Sequence, residues 1–258
     1  GYAPQERPAI DERTLKICLF AVILGVMAAG VALLLMSLIT VITQLMFFGR
    51  WSTEAASPAL AVPALGLWVI VIPVIGGLIV GAMARYGSRA IRGHGIPEAM
   101  EQILTNRSRI PARMTVLKPV SSAVAIGTGG PFGAEGPIIA TGGALGSLLG
   151  QFTACSPAER KTLLGAGAAA GMAATFGSPI SAVLLAVELL LFEYRPRSLI
   201  PVALAATVAA GLRVVYEGAA PVFPMPTLAA VPFSALIFYI VLGAVMGFIA
   251  VGVTRALY

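Results

Sequence analysis

The sequence predicts an all-α protein that crosses a membrane several times. Three observations support this fold class: 58% of the 258 residues are hydrophobic, only 11% are charged, and long runs contain no charged residue. Soluble domains carry about 25% charged residues, so this chain has too few to cover a surface that faces water. Because one helical span of the hydrocarbon needs about 20 apolar residues, the chain has room for several spans.

The composition also excludes several classes of protein. The apolar content is too high for a disordered chain, and two cysteines, Cys18 and Cys155, cannot build a scaffold of several disulfides. The net charge of +6 would suit a nucleic-acid partner, but in a membrane protein the positions of the basic residues indicate topology instead. We therefore expect no nucleic-acid partner.

The basic residues predict which segments face the cytoplasm. One basic stretch extends from Arg85 to Lys118, and the segment 1–16 carries three further basic residues. The positive-inside rule places both in the cytoplasm, whereas residues 49–63, with only Arg50 and Glu54, lie on the opposite side. We predict a cytoplasmic N-terminal segment, 1–16, followed by a multi-pass membrane domain, 17–258, in the plasma (inner) membrane.

Two long uncharged runs predict conventional spans at the start of the chain. Residues 17–49 exceed the minimum length of a span and predict a long, tilted helix. The next run, 55–84, predicts a span that becomes helical after Pro63 and ends at Arg85. Both helices are expected to cross the whole membrane.

The remaining runs predict a less regular part of the membrane domain. Glycine and proline interrupt the uncharged runs 119–134, 136–158 and 162–187, which favours short, re-entrant or broken helices. A moderate helix is predicted over 199–216, and a clean span after Pro232.

Broken helices at bilayer depth indicate function. Unsatisfied backbone groups there cost several kcal/mol each, so such a break persists only where it is buried in protein or lines a wet cavity. A helix that begins in mid-membrane presents free amides and a positive dipole end, which can hold an anion. The sequence contains three such starts: Gly93-His94-Gly95-Ile96-Pro97, Gly133-Ala134-Glu135-Gly136-Pro137 and Phe176-Gly177-Ser178-Pro179.

These motifs resemble the signature elements of the CLC family of chloride channels and proton-coupled chloride transporters. The first is similar to the family's GSGIP element, the second to its GREGP element, and residues 166–179 to its GAAAGLAAAFNAP-like stretch. The resemblance implies the first of the family's two inverted repeats plus the helix that opens the second. The family pore also uses a GxFxP element and a tyrosine from the second repeat, which this sequence does not contain.

The resemblance assigns roles to individual residues. Glu135 matches the family's gating glutamate, and physical chemistry supports that role: a carboxylate among anion-selecting amides can occupy the anion's position and leave when it is protonated or displaced. The alternative is a glutamate that only complements the helix dipole. The anion-binding residues implied by the resemblance are His94, Gly95, Ile96, Pro97, Gly133, Ala134, Gly136 and Pro137.

Three positions depart from the family pattern. His94 stands where the family usually has serine, Ala134 replaces an arginine, and Leu189 replaces the inner glutamate that relays protons in the coupled transporters. A histidine can donate a hydrogen bond or carry a positive charge, so it affects which anion is preferred. Leucine cannot carry a proton, which favours a passive channel or an exchanger with another proton route.

Two glutamates remain as candidates for a proton relay. Glu188 matches a family glutamate. The alternative to a relay role is a buried carboxylate that is hydrogen-bonded to the neighbouring backbone and contributes only to the structure. Glu193 lies about one helical turn beyond Leu189, and its alternative is an ion pair with Arg195 or Arg197 at the water interface.

The predicted function is therefore channel-like transport of an anion, chloride, across a membrane, gated by protonation or displacement of Glu135. The alternatives are a proton-coupled chloride antiporter, an exporter of fluoride or another anion, and an intramembrane enzyme. The enzyme would need a nucleophile with a base in reach, which the sole histidine does not offer, so we predict no enzymatic activity. We expect no cofactor, a small inorganic anion and the lipid bilayer as partners, and, by resemblance, a homodimer.

Overall fold

The computed structural model describes residues 12–225 and 232–257, and within these ranges all regular structure is helical. The chain divides into two compact units, Gly1–Ala220 and Pro221–Tyr258. Four of the described helices are long and apolar enough to cross a membrane. The predicted all-α polytopic fold is confirmed. Most of the predicted N-terminal segment, residues 1–11, lies outside the described ranges, and residues 12–16 belong to the first helix.

The larger unit contains eight helices in its described part, besides a short 3-10 turn at Arg89–Ile91. They are α1 (Glu12–Phe48), α2 (Pro58–Gly87), α3 (Ile96–Thr105), α4 (Met114–Gly127), α5 (Glu135–Phe152), α6 (Pro157–Phe176), α7 (Pro179–Leu191) and α8 (Pro196–Glu217). The smaller unit contains α9 (Phe233–Leu257).

The first two helices follow the predicted uncharged runs, with one difference at the start of α2. α1 has 37 residues, about 55 Å of helix, which exceeds the roughly 30 Å of hydrocarbon and fits the expected tilt. α2 begins at Pro58 rather than after Pro63, because the Ser57 hydroxyl accepts a hydrogen bond from the Ala59 amide at 3.4 Å and starts a 3-10 turn. It ends in a wide π turn, Met83–Gly87.

α5 and α6 form the centre of the larger unit. Backbone meets backbone between them, because a Cβ added to Gly142 would overlap the carbonyl of Gly167, and one added to Gly167 would overlap that of Gly142. Small residues allow this close approach between helices in a membrane. α6 also packs against α1 and α8, and its Leu163 and Leu164 are fully buried.

A surface segment, residues 106–113, joins α3 to α4 and is held by hydrogen bonds to α5 and α6. The buried Ser147 hydroxyl on α5 donates to the Ser108 carbonyl at 2.6 Å and accepts from the Ile110 amide at 2.9 Å. The Gln151 amide group, also on α5, donates to the Ile110 carbonyl at 3.0 Å, and Arg160 on α6 donates to the Arg107 carbonyl at 3.1 Å. The segment is therefore fastened to both central helices.

Candidate functional site

The first predicted helix start lies at Gly95, directly before α3. Gly95 has φ of 112°, a backbone conformation that favours glycine. Its amide donates to Oε2 of Glu98 at 2.6 Å, so the chain's own carboxylate already binds this donor. The amide of Ile96 is a first-turn donor that lacks an acceptor within the helix, and Pro97 contributes a fixed φ rather than an N–H.

The second start, at Glu135, packs directly on the loop before α3. A Cβ on Gly136 would lie 2.6 Å from Nδ1 of His94 and would overlap the His94 carbonyl oxygen, while a Cβ on Gly95 would lie 2.7 Å from the Gly136 carbonyl oxygen. Contacts this short leave no room for a side chain at either glycine. The structure thus brings the first two predicted motifs together, with the imidazole over the first turn of α5.

A cavity of about 650 Å³ opens beside this contact. His94, Gly133, Pro137 and Lys118 are among the residues that line it. Glu135 is not itself one of the lining residues, but its neighbours Gly133 and Pro137 are. Its side chain is half-buried and, among the described residues, has no hydrogen-bond or ion-pair partner. As the first residue of α5, Glu135 stands at the end of the helix where the dipole favours a negative charge.

The third predicted start lies at Ser178, before α7. Gly177 ends α6 with φ of 64°, and the Ser178 hydroxyl donates to the Ser181 hydroxyl at 2.9 Å. The lining of the 650 Å³ cavity includes residues of the first two starts and none from 177–181.

The two proton-relay candidates lie at the end of α7, away from the lining of this cavity. Glu188 is exposed on a π turn, Val187–Leu191, and no partner for its carboxylate occurs in the described ranges. Glu193 accepts a hydrogen bond from the Ser198 hydroxyl at 2.8 Å, and its Oε2 lies 3.5 Å from Nε of Arg195. Glu193 thus forms the ion pair with Arg195 that the sequence analysis gave as the alternative to a proton relay.

The sequence interpretation missed Lys118, which it counted with the basic residues that indicate topology. The six arginines between Arg85 and Arg113 are exposed, whereas Lys118 is only 3% exposed. Its ammonium donates to the carbonyl oxygens of Ile91 and Gly93, both at 2.9 Å, and so holds the loop that carries His94. One signal was available: Lys118 is the only charged residue within the otherwise uncharged α4, and such a residue in a membrane helix marks a functional position.

The fold and the paired helix starts define a class: a polytopic α-helical membrane protein with discontinuous helices beside a cavity. Residues 75–258, well over half of the chain, match the profile of a family described as voltage gated chloride channel. The chain belongs to this voltage-gated chloride channel, or CLC, family.

Individual relatives agree with this assignment. A putative chloride channel protein ClcB-like of Ralstonia nicotianae is 27% identical over 205 residues, which cover 77% of this chain and 48% of the relative. An H(+)/Cl(-) exchange transporter ClcA of Salmonella arizonae is 32% identical over 161 residues, 60% of this chain and 33% of the relative. The chain thus spans half or less of the length of these curated relatives.

Two solved structures have the same fold. A slow cyanobacterial Cl-/H+ antiporter superposes with a TM-score of 0.70 at 22% identity, covering 93% of this chain and 55% of the other. A CLC-type fluoride/proton antiporter superposes with a TM-score of 0.69 at 21% identity, covering 91% and 55%.

Proposed function

We propose that the protein transports chloride across a membrane along a path that passes the joined starts of α3 and α5, with Glu135 as the gate. One observation carries the proposal: the His94 loop and the first turn of α5 are in direct contact beside a 650 Å³ cavity. α3 and α5 both begin at this contact, and the positive dipole end of a helix stabilises a small anion.

The proposed gate rests on the place of Glu135 as the first residue of α5, between two residues that line the cavity. An ionised carboxylate at the first residue of α5 is attracted to the same amides as chloride, so the two compete. Protonation removes the negative charge of the carboxylate and with it this competition. Chloride then enters the vacated place, and transport increases as the pH falls.

Proton-coupled exchange is the second candidate function. The Salmonella relative is named an H(+)/Cl(-) exchange transporter, and the first of the solved neighbours is a Cl-/H+ antiporter. Glu135 supplies a titratable group for such coupling, whereas the apolar Leu189 favours the channel. Fluoride is a further candidate anion, because the second solved neighbour is a fluoride/proton antiporter.

The proposal also covers the membrane location, the topology and the oligomeric state of the protein. The family and the four long apolar helices show an integral membrane protein. To this we add as proposals the plasma membrane as its location, a cytoplasmic N-terminal segment and a homodimer.

The substitution Glu135→Gln tests the gate. In proteoliposomes, we expect chloride efflux through the unaltered protein to rise as the pH is lowered, and efflux through Glu135→Gln to stay high at every pH, because glutamine carries no charge. A pH gradient that drives chloride uptake in the unaltered protein, and fails to do so in the variant, identifies the exchanger.

The matched control is Glu101→Gln, which neutralises an exposed glutamate on α3. We expect it to keep the original pH profile. An unchanged pH profile in Glu135→Gln would contradict the proposed gate.

A further inference from the structure

Exposed arginines and a tyrosine lie where α2 ends and α4 begins. Arg85 and Tyr86 belong to the π turn that ends α2, Arg89 opens the 3-10 turn that follows, and Arg113 directly precedes α4. The guanidinium carbon of Arg85 lies 5.7 Å from the centre of the Tyr86 ring. We call Arg85, Arg89 and Arg113 the arginine patch.

Packing between α2 and α4 brings the members of the patch to one surface. A Cβ on Gly87 would lie 3.2 Å from Cδ2 of Leu117, so the end of α2 rests on the first turns of α4. Arg113 precedes Leu117 by four residues, and its carbonyl accepts the Leu117 amide at 2.9 Å. Residues four apart in a helix share a face, so Arg113 lies on the side of α4 that meets the end of α2.

The positive charge of the patch is uncompensated within the described part of the chain. No carboxylate oxygen of a described residue lies within 4.0 Å of a patch guanidinium. The carboxylate of Glu98 on α3 accepts the Gly95 amide and interacts electrostatically with Lys118 instead. Because arginine stays protonated in proteins, the patch keeps a permanent positive charge on an exposed surface.

The patch is separate from the cavity beside the proposed chloride path. Arg92, three residues after Arg89, is among the residues that line that cavity of about 650 Å³, whereas no member of the patch is. A ligand of the patch therefore approaches from outside the cavity.

The side chains that precede the patch on α2 face the surroundings and are apolar. Val74, Leu78 and Ile79 are exposed on a helix that is long and apolar enough to cross a membrane. Tyr86 follows them at the end of the span, and the boundary between lipid and water is where tyrosine is enriched. Along α2, apolar side chains thus give way to an interfacial tyrosine and then to arginines, which is the order of a phospholipid's acyl chains and charged headgroup.

We propose that the arginine patch binds the headgroup of an anionic phospholipid whose acyl chains lie along α2. A guanidinium donates two parallel hydrogen bonds to the oxygens of one phosphate. The net negative charge of the lipid complements the uncompensated charge of the patch, whereas a zwitterionic lipid has no net charge to offer. The site does not depend on the proposed chloride transport, and its test measures lipid binding alone.

Binding of defined lipids to the purified protein in detergent tests the site, with native mass spectrometry to measure dissociation constants. We expect the unaltered protein to bind phosphatidylglycerol about tenfold or more tightly than phosphatidylcholine, since each basic side chain near an anionic headgroup contributes roughly a fivefold gain. The double variant Arg85→Gln, Arg89→Gln is expected to lose most of this preference. The double variant Arg85→Lys, Arg89→Lys is expected to keep it, because lysine retains the charge.

The matched control is the double variant Arg195→Gln, Arg197→Gln, which removes two exposed arginines at the start of α8 and leaves the patch intact. We expect its preference for phosphatidylglycerol to remain unchanged. Monodisperse elution and an unchanged thermal midpoint of Arg85→Gln, Arg89→Gln show that weaker binding does not arise from misfolding.

Each outcome has a distinct meaning. Loss of the preference in Arg85→Gln, Arg89→Gln, with the control unchanged, supports the inference. Equal affinity of the unaltered protein for the two lipids overturns it, and so does an equal loss in the control, which would show attraction by total charge. If glycerol phosphate displaces phosphatidylglycerol at an equal concentration, the patch binds soluble phosphates and the assignment to a lipid is overturned.

Discussion

At the scale of single residues, Gly136 determines how closely the two helix starts approach. Its missing side chain leaves the space that the His94 carbonyl and imidazole occupy. The glycines were recognised in the sequence as interruptions of uncharged runs, but the residues they contact were not. The partner of Gly136 lies more than 40 residues away, and no local pattern encodes such a contact.

The substitution Gly136→Ala tests this contact. The added Cβ would force the His94 loop away from α5, and we expect a loss of about 1–3 kcal/mol in the free energy of unfolding, as for overpacked interiors, together with a reduced chloride flux. Thermal unfolding of the purified protein measures the first effect.

Gly133→Ala is the control, because the nearest heavy atom to a Cβ at Gly133 is 4.0 Å away. Equal stability of the two variants would contradict the steric interpretation.

At the scale of helices, uncharged runs located the long elements but not α3, whose segment carries Glu98 and Glu101. The run 199–216 became α8 at Pro196–Glu217, and the span expected after Pro232 became α9 at Phe233–Leu257. These boundaries follow from local signals, namely charge, proline and glycine. The buried state of Lys118 depends on the carbonyls of a distant loop, so the sequence alone could not distinguish it from the exposed arginines.

The contact between α5 and α6 supplies a prediction at this scale. Gly167→Ala places a methyl group against the Gly142 carbonyl, which must separate the two helices or bend one of them. We expect the free energy of unfolding to fall by about 1–3 kcal/mol, as measured by denaturation of the purified protein.

In Gly143→Ala, by contrast, the methyl group would meet Cδ2 of Leu164 at 3.4 Å, an ordinary contact. This control is expected to be nearly neutral. A stable Gly167→Ala variant would show that the two helices tolerate a wider spacing.

At the scale of the whole molecule, the exposed surface is that of a protein surrounded by lipid. On α2, for example, Leu67 is 83% and Trp68 is 71% exposed, and no soluble protein would present such a long helix of apolar side chains to water. The described fold therefore agrees with the composition from which the class was predicted.

Single cysteines test the proposed topology. In a background carrying Cys18→Ser and Cys155→Ser, we expect Arg109→Cys to react with an impermeant thiol reagent from the cytoplasmic side and Glu54→Cys from the opposite side, because basic loops stay in the cytoplasm. Both positions are exposed, so each is open to the reagent. Reaction of both from the same side would contradict the topology.

The fastening of residues 106–113 has a mechanical consequence. This basic loop cannot shift without breaking its bonds to Ser147 and Gln151 or carrying α5 along with it. Because Arg160 ties the same loop to α6 and α5 packs backbone to backbone on α6, a displacement of the arginine-bearing surface would have to move both central helices, and with them Glu135 at the start of α5.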